Sequence, residues 1–218
     1  MKRFLELTDG LSLLYGQEVS RLTTGNATLD ILLDGGLKPG VFILFYGDEK
    51  SGVDFFIHKL LVKCVQPSET GGWGAEALYL NCGNYREEKT ILDLDLLGSL
   101  MKVSGIDPFK GMEKIHVLCA FSESQQEKIV EQAQSFLEEH LDIKLIVVHH
   151  IAKLFTDELE DPHKRAKKIQ RLQRLVSKLF CSSSQRHLIL VATCRPNSTS
   201  KHGVPEPEGG NYLKHLAN

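Results

Sequence analysis

Between residues 41 and 193 the chain alternates short apolar runs with longer stretches in which apolar residues recur every three or four positions. The runs are Val41–Tyr46, Ala75–Asn81, Lys114–Ala120, Ile143–His149 and His187–Thr193; IKLIVVH and HLILVAT are nearly unbroken. Strands buried on both faces of a parallel sheet read in this way. The stretches Val53–Val65, Arg86–Val103, Glu123–His140 and His163–Ser182 carry the helical period. Strand followed by helix, repeated, makes βαβ units. The pattern therefore predicts an α/β domain with a mainly parallel sheet of about five strands, flanked by helices. Residues 1–20 read as a lead-in with a small apolar cluster at Leu11, Leu13 and Leu14, and residues 21–218 as one core domain. Residues 195–210, rich in Pro, Gly and Ser, read as a mobile loop.

Composition changes this picture little. The chain has 218 residues, 42% hydrophobic and 25% charged, enough for one well-filled core. No apolar run approaches the roughly 18 residues that would span a membrane, and MKRFLELTDG breaks up too soon for a secretory leader. Five scattered cysteines without a CxxC indicate reduced thiols in an intracellular protein. Net charge is −2, so attraction to nucleic acid has to be local.

The most informative segment is YGDEKSGVDF, Tyr46 to Phe55. It has the outline of a phosphate-binding loop: an apolar strand, Gly47, then Gly52 and an amphipathic helix. A working loop reads GxxxxGK[ST], with backbone N–H groups around the phosphates, a lysine on the β/γ oxygens and a hydroxyl on Mg²⁺. Here Val53 takes the lysine position and Asp54 the hydroxyl position, and Asp48 and Glu49 add carboxylates where a polyphosphate would lie. Like charges a few ångströms apart repel by roughly 1 kcal/mol even in water. Gly47, Lys50, Ser51 and Gly52 are the remnant of a nucleotide site; Lys50 is either a stand-in lysine or a surface partner of Asp48 or Glu49.

The order of landmarks resembles the RecA/RadA recombinase family. LTTGNATLDILLDGGLKPG (22–40) is similar to the segment ahead of that family's P-loop strand. GGWGAEALYLNCGNYREEKT resembles its second strand, IKLIVVHHIAKLFTDELEDPHKR its Walker B strand and following loop, HLILVATCRPN its Thr-Asn-Gln strand, and EGGNYLKHLAN its Gly-Gly-Asn element. The IAKLFTDELED wording is similar to the eukaryotic paralogue branch of accessory subunits. The resemblance implies a RecA-like P-loop NTPase core, short at its C-terminal side and without the usual N-terminal helical DNA-binding domain, so that the sheet is left with an unpaired edge. It also places departures on the catalytic positions. The catalytic glutamate corresponds to Gly83, the Walker B aspartate to His149, and Thr-Asn-Gln to Thr193-Cys194-Arg195. Phosphoryl transfer depends on positioned charge, so no hydrolysis is expected, and ATP and Mg²⁺ are disfavoured as cofactors.

Three further candidates bear on function. Helix 163–182 carries Lys164, Arg165, Lys167, Lys168, Arg171, Arg174 and Lys178, a stripe that can track a phosphate backbone or be a solvated face. It has no interleaved aromatics for base stacking. The second loop offers Arg195, Lys201 and His202 against Glu206 and Glu208. Cys82, Cys119, His149, His150 and Cys194 fall at strand ends, but their spacing fixes no ligand geometry, so no metal is expected. There is no GxSxG nucleophile elbow. The reading is a catalytically degenerate RecA-like paralogue, an interaction subunit in homologous recombination or DNA repair. Its expected partners are other RecA-like subunits and single-stranded DNA, with no membrane. It would be nuclear in a eukaryote and cytoplasmic otherwise. The alternatives are a weak DNA-dependent ATPase that completes its site with a partner, and a RecA-like regulatory module that does not bind DNA.

Overall fold

The computed structural model describes residues 20–48, 50–83, 92–156, 162–197 and 205–217. Five strands form its sheet: β1 (Phe42–Tyr46), β2 (Glu76–Cys82), β3 (Ile115–Ala120), β4 (Ile143–His149) and β5 (Ile189–Cys194). Their order is β1-β5-β4-β2-β3, and every pairing is parallel. The helices are α1 (Ala27–Leu32), α2 (Val53–Val65), α3 (Leu94–Val103), α4 (Pro108–Met112), α5 (Glu123–Glu139), α6 (Lys153–Thr156), α7 (Pro162–Gln185) and α8 (Asn211–Leu216). The fold class expected from the apolar pattern is the one observed.

Parallel strands need crossovers, and their handedness sorts the helices onto the two faces. One core sets α2, α3 and α4 against Ile43, Ala77, Tyr79, Leu145, Val147 and Val191. The other sets α5, α7 and α8 against Phe42, Leu78, Leu80, Ile146, Val148 and Ala192. Successive strand residues alternate between the two cores, as the pleat requires. Because β4 and β5 are covered by both, IKLIVVH and HLILVAT are apolar almost throughout.

Two expectations are corrected. The mobile loop over 195–210 is tied at both ends by an antiparallel pair, β6 (Pro196–Asn197) with β7 (Glu206–Pro207). The helix expected over Arg86–Val103 begins at Leu94, because the Asp93 side chain accepts from Leu96 N and caps it. Residues 84–91 and most of the lead-in lie outside the described residues. The short helices α1, α4, α6 and α8 were not legible as apolar stripes. α1 rests on the Asn26 side chain, which accepts from Thr28 N and Leu29 N. α4 has Asp107 as its cap, with a proline in its first turn.

Candidate functional site

The helix after β1 covers one face of the sheet and the helix after β4 the other, with β5 between the two strands. Such a switch point opens a crevice at the carboxyl ends of the strands. The segment Tyr46–Val53, His149 at the end of β4 and Thr193 near the end of β5 all meet there.

The loop after β1 is closed on itself. The Asp48 carboxylate accepts from Lys50 N at 3.1 Å. The Asp48 carbonyl accepts from Ser51 N at 3.0 Å and from Ser51 Oγ at 2.6 Å. Two backbone N–H groups of the loop and its hydroxyl are thus directed at Asp48. Gly47 permits this, because a Cβ there would lie 2.3 Å from Ser51 Oγ. Gly52 enters α2 at φ 77°, a left-handed conformation that favours glycine. Val53, at the lysine position, is partly buried and packs against the apolar core. Lys50 and Ser51 are exposed. Glu49 lies outside the described residues.

Behind the loop, one face of the sheet carries a polar row. The strand registers align Thr193 on β5 with Phe45 on β1, and Asn81 on β2 with both His149 on β4 and Cys119 on β3. Thr193 holds the row together. Its Oγ1 lies 3.0 Å from His149 Nδ1 and accepts from His150 N at 2.9 Å, and its carbonyl accepts from Ile151 N at 2.9 Å. His149 Nε2 lies 3.6 Å from Asp54 Oδ1. This contact is not an ion pair. Burial, then the neighbouring His150, His58 and Lys153, hold the His149 imidazolium well below its usual range, so the ring is neutral near pH 7. Asn81 is 1% exposed, and neither of its amide atoms has a partner among the described residues. His58, which sequence reasoning missed, ties the base of α2 to α3. Its Nδ1 lies 2.7 Å from Asp54 O, and its Nε2 accepts from Asp93 N at 2.8 Å.

Of the thiols at the strand ends, Cys119 stands in this row and Cys82 and Cys194 do not. Cys82 and Cys194 lie in the opposite core, and burial pushes the Cys194 thiol up to about 12 and Cys82 higher still. A protonated buried thiol is a poor metal ligand.

The basic stripe on α7 is largely committed to its neighbour. Arg171 donates to both oxygens of Glu127 at 2.9 Å. It also contacts Glu123, which takes Lys168 as well, and Lys178 lies 3.4 Å from Glu131. Hydrogen bonding to Arg171 holds Glu127 below the usual carboxylate range despite partial burial. Lys168 and Arg171, expected on a phosphate-tracking stripe, form rungs of a ladder between α5 and α7. The signal was present: Glu123, Glu127 and Glu131 are spaced at four residues on one side of α5. Lys164, Arg165 and Lys167 remain exposed at the start of α7. Arg195 is also engaged, 2.9 Å from Glu208. Lys201 and His202 lie outside the described residues.

The family model for Rad51 matches residues 16–217, nearly the whole chain. The chain belongs to the Rad51 family. It is 30% identical over 205 residues to the DNA repair and recombination protein RadA of Cenarchaeum symbiosum (strain A), covering 92% of this chain and 50% of that protein. This Rad51-family chain thus spans half the length of that curated relative. Among the described residues no helix is long and apolar enough to cross a membrane.

Proposed function

We propose that the chain is a non-hydrolysing Rad51-family subunit. It acts by association with another RecA-like subunit in homologous recombination or DNA repair, and takes no nucleotide cofactor. It would work in the nucleus of a eukaryote and the cytoplasm otherwise. The observation that carries this reading is the self-closed loop. Asp48 takes backbone donors that a phosphate would need, and an apolar Val53, packed against the core, stands where a lysine would project. Asp54 and a neutral His149 supply no fixed positive charge to a polyphosphate. Titration with a fluorescent ATP analogue and Mg²⁺ tests this. The expected result is no saturable binding in the micromolar range. Tight binding abolished by Lys50→Ala would overturn it in favour of a weak ATPase.

Association is supported by the sheet edges and by apolar surface. β1 and β3 are the outer strands of the five-stranded sheet. On β3 and just after it, Val117 and Phe121 are 45% and 41% exposed, and Val103 and Phe109 on α3 and α4 are 87% and 84% exposed. An unpaired strand edge beside exposed apolar side chains invites a partner. Co-expression with RecA-like subunits, followed by size-exclusion chromatography with light scattering, is expected to give a stable heteromer. A well-behaved monomer that captures no such subunit would overturn the reading.

Contact with single-stranded DNA is confined in this reading to the start of α7. Lys164, Arg165 and Lys167 stand exposed at a helix N-terminus, where the backbone dipole disfavours cations by about 0.3–1 kcal/mol each. A phosphate backbone would offset that cost. Reversing all three to Glu is expected to weaken binding equally for all sequences and to flatten the salt slope by roughly 0.7 per lost contact. Unchanged affinity in the folded variant would leave the role purely protein–protein.

A further inference from the structure

At the opposite end of the sheet from the cleft, three side chains with metal-binding donors converge. Glu76 opens β2, His116 is the second residue of β3, and His140 caps the C-terminus of α5. One donor atom from each lies within 4.8 Å of the other two. Glu76 Oε2 and His116 Nε2 are 2.7 Å apart. The two sit diagonally across the β2–β3 ladder, since His116 aligns with Leu78, two residues beyond Glu76. The His116 and His140 ring centres are 5.3 Å apart. Phe136 fixes both rings: it stacks on His140 at 3.8 Å and meets His116 edge-on at 4.9 Å. The His140 backbone N–H donates to Phe136 O at 3.0 Å, which locks the end of α5.

We propose that Glu76, His116 and His140 form a binding site for a divalent transition-metal ion of the zinc class. Two imidazoles and a carboxylate, with a fourth position open to water, are a donor set that suits Zn²⁺ and Co²⁺, whereas Mg²⁺ and Ca²⁺ take all-oxygen sites. Tetrahedral zinc bonds of about 2.0–2.1 Å place neighbouring donors about 3.3 Å apart. The Glu76–His116 pair therefore opens by about half an ångström as the ion replaces the shared proton. β2 can give at that point, because its register with β4 shifts between Glu76 and Ala77. All three residues are only partly buried, so an ion arrives from solvent without the domain unfolding. The site joins residues separated by 40 and 24 positions, and the ion would clamp the amino ends of β2 and β3 to the end of α5.

The test uses the full chain, stripped of metal and titrated with Co²⁺ and with Zn²⁺. The proposal expects one equivalent bound and the visible spectrum of four-coordinate Co²⁺. It also expects a melting temperature raised by about 5–10 °C when Zn²⁺ exceeds Kd a hundredfold. His140→Ala, at a helix end, should still fold and should lose at least tenfold in Zn²⁺ affinity; His116→Ala should lose as much. No binding by the folded parent at micromolar Zn²⁺ would overturn the proposal. So would binding that survives His140→Ala but is lost in Asp54→Asn, because that result places the ion in the cleft.

Discussion

The segment Leu22–Gly40 and the cleft at the strand ends both lean on α2, and they treat their polar groups in opposite ways. In the segment, the Asp30 carboxylate accepts from Thr23 Oγ1 at 2.5 Å, Thr24 Oγ1 at 2.6 Å and Thr24 N at 2.7 Å. Lys59 of α2 donates to Gly25 O, and Leu22 pairs with Leu37 through two backbone bonds. Each of these groups ends on another. In the cleft, Asn81 has a buried amide with no partner among the described residues, and His149 a buried neutral imidazole. The segment's polar groups serve the backbone, so its stability is local and complete. The cleft's polar groups carry costs that only a ligand, or a substitution, would remove.

The largest effect expected from breaking this contrast is in the segment. Partial burial raises the Asp30 carboxyl, but the Thr23 and Thr24 side chains and the Thr24 N–H outweigh it and hold the pKa below the usual value. Asp30→Ala leaves Thr23 Oγ1 and Thr24 N without this acceptor and Thr24 Oγ1 with only Asn26 O, and is expected to cost about 2 kcal/mol, with the melting temperature falling by about 4–8 °C. A carboxylate whose folded pKa is depressed contributes fully above its unfolded value of about 3.9 and loses that contribution as pH falls through the folded value. The gap between parent and variant should therefore stay constant at neutral pH and close in acid. Denaturant titrations across that range measure it, and a gap that persists unchanged in acid would assign the effect to packing.

The second effect lies in the cleft. His149 is neutral when folded and has an ordinary pKa of about 6.5 when unfolded. Below that value the unfolded chain binds the extra proton, so the folded state loses up to about 1.4 kcal/mol per pH unit as pH falls. Between about pH 7.5 and pH 5 the parent should lose about 2 kcal/mol more than His149→Gln, which cannot titrate. Equal pH slopes in the two proteins would mean that His149 titrates alike in the folded and unfolded chains, and a parent that gains on the variant in acid would mean that a charged His149 is held by Asp54.

A smaller effect of opposite sign is expected at Asn81. Replacing this amide, which has no partner among the described residues, with a similarly sized apolar group removes a desolvation cost, so Asn81→Leu should stabilise by about 1 kcal/mol, or about 2–4 °C. A loss of stability would show that the amide has a use in the fold.

The sheet was legible because buried parallel strands must be apolar, and that constraint acts on every residue of IKLIVVH and HLILVAT. The glycines and Val53 were legible for a similar reason: a strand-to-helix turn restricts its residues locally. What the sequence hid lies between elements. The α7 stripe read as an open cationic face because the pattern of one helix does not say what faces it; Glu123, Glu127 and Glu131 become partners only when α5 is laid alongside. Glu76, His116 and His140 had no signal at all, since register and the end of a helix bring them together. The pinning of 195–210 rests on Glu208 reaching Arg195 and Thr156, which composition does not encode.

The smallest expected effect concerns a feature both regions share. Asp34 in the segment and His150 in the cleft are non-glycine residues at φ 55° and φ 57°. Asp and His tolerate the left-handed region better than most residues, yet it costs them about 1–2 kcal/mol relative to right-handed backbone. Glycine removes that cost but adds about 0.5–1 kcal/mol of unfolded-state entropy. At Asp34 the substitution also removes an exposed ion pair with Arg21, so no measurable change is expected. At His150 the backbone N–H to Thr193 survives the substitution but the ring contact with His149 at 4.0 Å is lost, so a net gain of at most about 0.5 kcal/mol is expected. Parallel melts of His150→Gly and Asp34→Gly read the difference directly. Equal responses would show that backbone strain does not distinguish the two regions, leaving the contrast to the buried polar groups alone.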